Sequence, residues 1–291
     1  MTCGTNYFGF LDSNLRVVVD IDGAIGYVVA HGDLVERARL SWLRSGIAPN
    51  ADVLAKAELG QVPAGGWPAF WAGDVASVDA TCFRLAELDD LGALGRPAAR
   101  NALDWLAGQQ RPDGTWEEDE SLAKDAPPWA QPGDPEACLY LTANAGFWLC
   151  MSGTTEPAAT SLGPPAEPDP RAEVVARATQ AFRERMREDG TWPSYLVAGW
   201  LGAALLFHAG IFYEAAQIQV ILADRIPDMT PADVAALMAA MRRAGMSTED
   251  WLLVAARKRL TETQRSDGGW PSDDGDAFDV HTTLTAIRAL R

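Results

Sequence analysis

Basic residues are scarce in this 291-residue chain: 24 Lys and Arg stand against 40 Asp and Glu, giving a formal charge of -16. Such a surface does not track phosphates, which excludes nucleic-acid binding, and it leaves at most a weak attraction to a membrane surface. Cysteine is also sparse. Cys3, Cys82, Cys138 and Cys150 form no C-x-x-C pair, so neither a zinc knuckle nor a disulfide framework is signalled. Met1 to Asp20 lacks the basic head and apolar stretch of a secretory signal, and the expected location is the cytoplasm. The longest apolar run, Tyr195 to Tyr213, is interrupted by His208 and Ala209-Gly210, so it predicts two buried helices meeting at a turn rather than a transmembrane span. No diphosphate-ionising D-D-x-x-D, G-x-S-x-G elbow, P-loop or dinucleotide fingerprint is present, and His31 and His208 have no motif around them.

What the chain does have is a recurring turn that ends in tryptophan. It appears as Gly65-Gly66-Trp67, Asp113-Gly114-Thr115-Trp116, Asp189-Gly190-Thr191-Trp192 and Asp267-Gly268-Gly269-Trp270. Recurrence at this scale marks an internal repeat, and it runs almost from end to end, which favours one domain. Between the turns, helical periodicity covers 34–43, 77–88, 98–109, 136–149, 172–187, 195–207, 213–223, 231–243, 248–263 and 281–290, whereas Arg16 to Asp20 is the one plausible strand. The fold class is all-α.

Helices before the turns are amphipathic and charged, while several that follow are apolar on every side. That alternation predicts an (α/α) barrel of five to six helix pairs, with an outer charged ring and an inner buried one. Tryptophan intervals of 49, 76 and 78 residues imply that some pairs lack the motif. Residues 1–32 read as an N-terminal extension, and 117–133 and 153–171 as loop insertions.

Gln109-Gln110-Arg111-Pro112-Asp113-Gly114-Thr115-Trp116 and Gln264-Arg265-Ser266-Asp267-Gly268-Gly269-Trp270 resemble the QW repeat of squalene-hopene and oxidosqualene cyclases, shared in looser form with protein prenyltransferase β subunits. The resemblance covers residues 60–291. Ser77-Val78-Asp79-Ala80-Thr81-Cys82 is similar to the Asp-Val-Asp-Asp-Thr-Ala motif of class II terpene cyclases, with Ser77 and Ala80 standing where the family has aspartates. It implies that Asp79 is the general acid that protonates an alkene or epoxide of an isoprenoid or meroterpenoid substrate. It also implies one barrel where full-length relatives use two, hence a shorter substrate, a lid from Glu117 to Gly133, or a partner subunit or homodimer that completes the pocket.

Counting back from the helix ends aligns Thr81 with Thr283, Asp79 with His281 and Ser77 with Asp279, and sets Glu136 opposite Asp79 and Asp134 opposite Ser77. Asp79, His281 and Glu136 are thereby expected around one barrel mouth, His281 and Glu136 serving as partners of the acid or as the deprotonating base. Expected substrate contacts are Trp71, Tyr140, Phe147, Trp148, Tyr195, Trp200 and Phe207, whose rings could stabilise a cation, together with Thr81 and Asp279. This reading needs no cofactor. Two alternatives stand beside it. One is a barrel that binds isoprenoids or protein without catalysis; the other is a prenyltransferase-like protein with zinc, or magnesium, zinc being held by Asp79, Cys82 and His281.

Overall fold

The helix Pro135–Ser152 buries every residue from Ala137 to Met151, whereas the next, Ala172–Arg185, buries only Ala178, Thr179, Ala181 and Phe182. The computed structural model describes residues 18–153 and 171–291, and within them this contrast repeats around a closed double ring. The helices are α1 (Ile21–His31), α2 (Leu34–Ser45), α3 (Ala51–Ala57), α4 (Val78–Asp90), α5 (Pro97–Gly108), α6 (Pro135–Ser152), α7 (Ala172–Arg185), α8 (Leu196–His208), α9 (Phe212–Arg225), α10 (Pro231–Arg243), α11 (Trp251–Thr263) and α12 (Asp279–Leu290). One short hairpin, β1 (Trp67–Pro68) against β2 (Ala76–Ser77), precedes α4.

The even-numbered helices pack in sequence from α2 to α12, and α12 returns to α2. The odd-numbered helices lie outside them, α5 for example against both α4 and α6. Each chain segment goes out along one layer and back along the other, so all six inner helices run the same way and begin at one mouth. The all-α expectation of five to six helix pairs is met with six. Val18 to Asp20 continue no strand and lead into α1; Arg16 and Val17 lie outside the described residues, as does the insertion from 154 to 170.

The tryptophan turns fasten the two rings together. The backbone N–H groups of Trp67, Trp116 and Trp270 donate to the hydroxyls of Thr81 (2.9 Å), Thr142 (3.1 Å) and Thr283 (3.1 Å) on the inner helices. The indoles of Trp116 and Trp270 donate back to Leu106 and Leu260 on the outer helices, at 2.8 and 2.9 Å. Gln61, Gln110 and Gln264 each bridge their own turn to the next outer helix, accepting partners being Ala98, Val174 and Asp20. The last of these closes the ring. Residues 21–31, read from sequence as part of an extension, form α1 in the outer layer, packed on α12 and α2.

The threonines also fix the register between inner helices. Thr81, Thr142 and Thr283 are equivalent, so the position two residues earlier holds Asp79 on α4, His281 on α12 and Tyr140 on α6. Glu136 is displaced by one helical turn, because α6 begins with an extra turn capped by Asp134, whose Oδ1 accepts from the N–H groups of Glu136 and Ala137.

Candidate active site

A cavity of about 330 Å³ runs along the barrel axis, lined by all six inner helices. Phe83, Phe147, Trp148, Trp200, Tyr140 and Phe278 give it an aromatic wall. Its ends are polar. Toward the starts of the inner helices it meets Asp233, Asp274 and His281, and toward their ends it meets Arg39, Asp90, Arg243 and Arg288.

Asp79 sits half-buried in the first turn of α4 and does not cap it; that role belongs to Ser77, whose hydroxyl accepts from the Ala80 N–H. The Asp79 carboxyl instead receives two donors. Tyr140 Oη donates to Oδ1 at 2.6 Å, and Trp129 Nε1 donates to Oδ2 at 3.1 Å. Asn144 Nδ2 in turn donates to the Tyr140 oxygen at 3.2 Å. Burial raises the carboxyl above its ordinary value, and the two donors pull in the opposite direction. Asp79 is not itself among the side chains lining the cavity. It meets that space through Tyr140, whose hydroxyl burial and Asp79 together push well above the usual tyrosine range.

Behind Asp79 lies a carboxyl that the sequence reading missed. Glu118, 4% exposed, accepts from the Ser77 hydroxyl at 2.7 Å and from the N–H groups of Val78 and Asp79 at 2.8 and 3.0 Å. Burial lifts it to about 7 despite these bonds, and the charge of Asp79 adds to the shift. Glu118 and Trp129 both come from the 117–133 insertion, which folds onto α4 and α6 through single 3-10 turns at Glu120–Leu122 and Pro128–Ala130. An acidic loop residue carries no local signal of burial, so only the folded loop reveals it.

His281 lines the same cavity but answers to a different partner. Its ring stacks on Phe83 with centroids 5.2 Å apart, and Nδ1 lies 3.3 Å from an Arg39 guanidinium nitrogen. A guanidinium can only donate, so Nδ1 accepts and the ring proton sits on Nε2. Burial, with Arg39 beside it, depresses His281 to about 3 and keeps it neutral. Below it, Asp90 accepts from Arg39 at 2.8 Å, Arg288 at 2.6 Å and Arg243 at 3.2 Å. Burial alone would raise Asp90, but these three cations hold it at about 2. Asp89 binds Arg243 and Arg288, and the Arg243 guanidinium lies 5.2 Å over the Trp148 ring. This network closes the far end of the cavity.

The remaining expected residues divide cleanly. Tyr140, Phe147, Trp148, Trp200 and His281 line the cavity, whereas Trp71, Tyr195, Phe207, Thr81, Asp279 and Glu136 do not. Thr81 is occupied by the Trp67 turn, and Asp279 is clamped by Arg265 at 2.7 Å and the Ser272 N–H at 2.7 Å. Glu136 is exposed on the extra turn of α6. Tyr195 meets Tyr140 edge-on at 6.3 Å, and Phe207 packs against Phe212. Nor do Asp79, Cys82 and His281 form a metal cradle: Asp79 faces Tyr140 and Trp129, His281 faces Arg39, and burial raises the Cys82 thiol well above its ordinary value, reinforced by Asp79 and Glu118. Among the described residues no group of three or more His, Cys, Asp or Glu is arranged to hold a metal ion.

Neither a family model nor a curated protein matches the chain. Solved structures do. A crystal structure of a protein from Actinoplanes aligns with a TM-score of 0.59 at 19% identity, covering 93% of this chain and 97% of that one. A variant of the type II terpene cyclase MstE from Scytonema, in complex with its substrate geranylgeranyl dihydroxybenzoate, aligns with a TM-score of 0.56 at 16% identity, covering 93% and 95%. The fold is terpene cyclase-like. A second MstE variant, bound to the product merosterolic acid A, aligns equally well at 0.56. At these identities the likeness is one of fold, and it places the terpene cyclase-like barrel across nearly the whole chain. No helix of the described residues is long and apolar enough to cross a membrane.

Proposed function

We propose that the protein is a class II-type terpene cyclase in which Asp79 protonates a terminal alkene or epoxide of an isoprenoid substrate. The observation that carries this reading is the Asp79 carboxyl, half-buried, served by two hydrogen-bond donors and no cation, next to an aromatic cavity. Burial favours the protonated acid at rest; Tyr140 and Trp129 stabilise the carboxylate that remains once the proton has left. Together these make a proton donor.

In the step itself the C=C electron pair takes the Asp79 proton and forms a C–H bond, leaving a tertiary cation that the next alkene attacks. Phe83, Phe147, Trp148 and Trp200 line the cavity, and aromatic rings there would stabilise positive charge and keep water away from it. The closing proton loss does not suit Glu136, which is outside the cavity, or His281, whose Nδ1 is taken by Arg39 and whose Nε2 carries a proton. Asp233 and Asp274 are the carboxylates that line the same rim. The guanidinium-rich far end suits a polar head group, which leaves the hydrocarbon terminus toward Asp79.

A second reading, a binding barrel without catalysis, is favoured by the absence of Asp79 from the cavity lining. Incubation with geranyl, farnesyl and geranylgeranyl substrates, free and aryl-linked, separates the two. The cyclase reading predicts cyclised product by mass spectrometry; thermal protection by these ligands with no product in any of them rejects it in favour of binding.

A further inference from the structure

Positions 77 and 80, which flank Asp79, carry Ser and Ala, and neither can supply a second carboxylate to the acid. The structure supplies one from elsewhere. We infer that Glu118, delivered by the 117–133 insertion, is a positioning residue that sets the orientation of Asp79 by holding the first turn of α4.

Three contacts define its hold. Glu118 Oε1 accepts from the Ser77 hydroxyl at 2.7 Å and the Asp79 N–H at 3.0 Å, and Oε2 accepts from the Val78 N–H at 2.8 Å. A buried carboxylate across the open N–H groups of a helix start fixes the first turn, and therefore the direction in which the Asp79 side chain leaves it. The same insertion fixes the other end of that side chain through Trp129. One loop thus grips the acid at its backbone and at its carboxyl.

Glu118 has three donors, two of them backbone N–H groups at a helix N-terminus, and these favour its charged form. Burial outweighs those donors and, with the charge of Asp79, lifts Glu118 to about 7, whereas Asp79 is raised by its own burial against the pull of Tyr140 and Trp129. The other titratable groups bearing on the pair are Cys82 on α4 and Tyr140 on α6; no Lys, Arg or His bonds to either carboxyl. Burial and hydrogen bonds therefore set both carboxyls, without help from a cation.

This inference rests on Asp79 as the acid, and the test is built to keep the two apart. The Asp79 carboxyl is followed by carbon-13 NMR titration in the wild type and in Glu118→Gln, its resonance being assigned by loss in Asp79→Asn. The Glu118→Gln change is expected to raise the Asp79 midpoint by about half a pH unit or more, since a helix start no longer held by three bonds lets the carboxyl slip from the Tyr140 and Trp129 donors that lower it. With a geranylgeranyl or farnesyl hydroxybenzoate as probe, kcat should fall at least about tenfold with KM little changed, and the alkaline limb of the rate profile should move to higher pH. Glu118→Asp should restore part of the midpoint and rate. A Glu118→Gln protein that folds and leaves the Asp79 midpoint unmoved or lowered overturns the inference, as does a loss of rate explained wholly by lost folded protein. Full activity in Asp79→Asn would instead reject the acid itself.

Discussion

At the scale of single residues, the site is a set of carboxyls whose neighbours push them in different directions. Tyr140→Phe removes the donor at Asp79 Oδ1 and strands Asn144 Nδ2, so we expect kcat to fall by about 10- to 100-fold with the barrel intact, checked by turnover and circular dichroism. The pH dependence of stability follows from two opposed groups. His281 falls from 6.5 to about 3 on folding, so the unfolded chain binds its proton first and stability is lost as pH drops through that window. Glu118 rises from 4.5 to about 7, so its contribution is present at low pH and is lost as pH climbs from 4.5 to 7. Between these limits the slopes oppose each other. Melting temperatures should therefore change little from pH 4.5 to 6.5 in the wild type, rise with pH in Glu118→Gln, and fall with pH in His281→Asn. The equivalent placement of Asp79 and His281 near inner-helix starts was legible in sequence because each stands two residues before a repeat threonine. Their partners were not: Trp129, Glu118 and Arg39 reach them from a loop and from another helix, across 39 residues or more.

At the scale of elements, each tryptophan turn is a clasp between neighbouring outer helices. Gly114 has φ +82°, and a Cβ there would lie 2.6 Å from the Arg177 carbonyl oxygen on α7. Gly114→Ala should accordingly cost about 3 kcal/mol or more in urea unfolding, from the left-handed backbone and the collision together. Gly210→Ala is the control. Gly210 has φ +76° with no atom within 4 Å of the added Cβ, so about 1 kcal/mol is expected. Ten of the helices were visible as periodic segments, but α1 and α3 were not. α1 carries Gly23, Gly26 and two adjacent valines, a poor helix former held by its Asp20 cap and by packing on α12. α3 has only seven residues, too short for a period to stand out. The placing of Glu136 beside Asp79 failed for a related reason: counting from helix ends assumes equal lengths, and α6 has 18 residues where α4 has 13 and α12 has 12.

At the scale of the whole molecule, one ring of helices makes the cavity, its two ends differ in chemistry, and an inserted loop attends to the acid. The far end depends on charge balance. Asp90→Asn would leave Arg39, Arg243 and Arg288 short of their shared buried partner, with an expected loss of about 3–5 kcal/mol in denaturant titration. If the proposed function holds, the same end would give the substrate a direction, and probes with an anionic aryl head should have a lower KM than neutral-headed probes of equal prenyl length. Everything at this scale rests on proton donation from one carboxyl. The most direct measurement compares wild type and Asp79→Asn for cyclised product, at equal folded concentration and with ligand binding verified by thermal protection. Loss of at least about a thousandfold in turnover with binding retained is the predicted result. Undiminished cyclisation by Asp79→Asn would contradict the account.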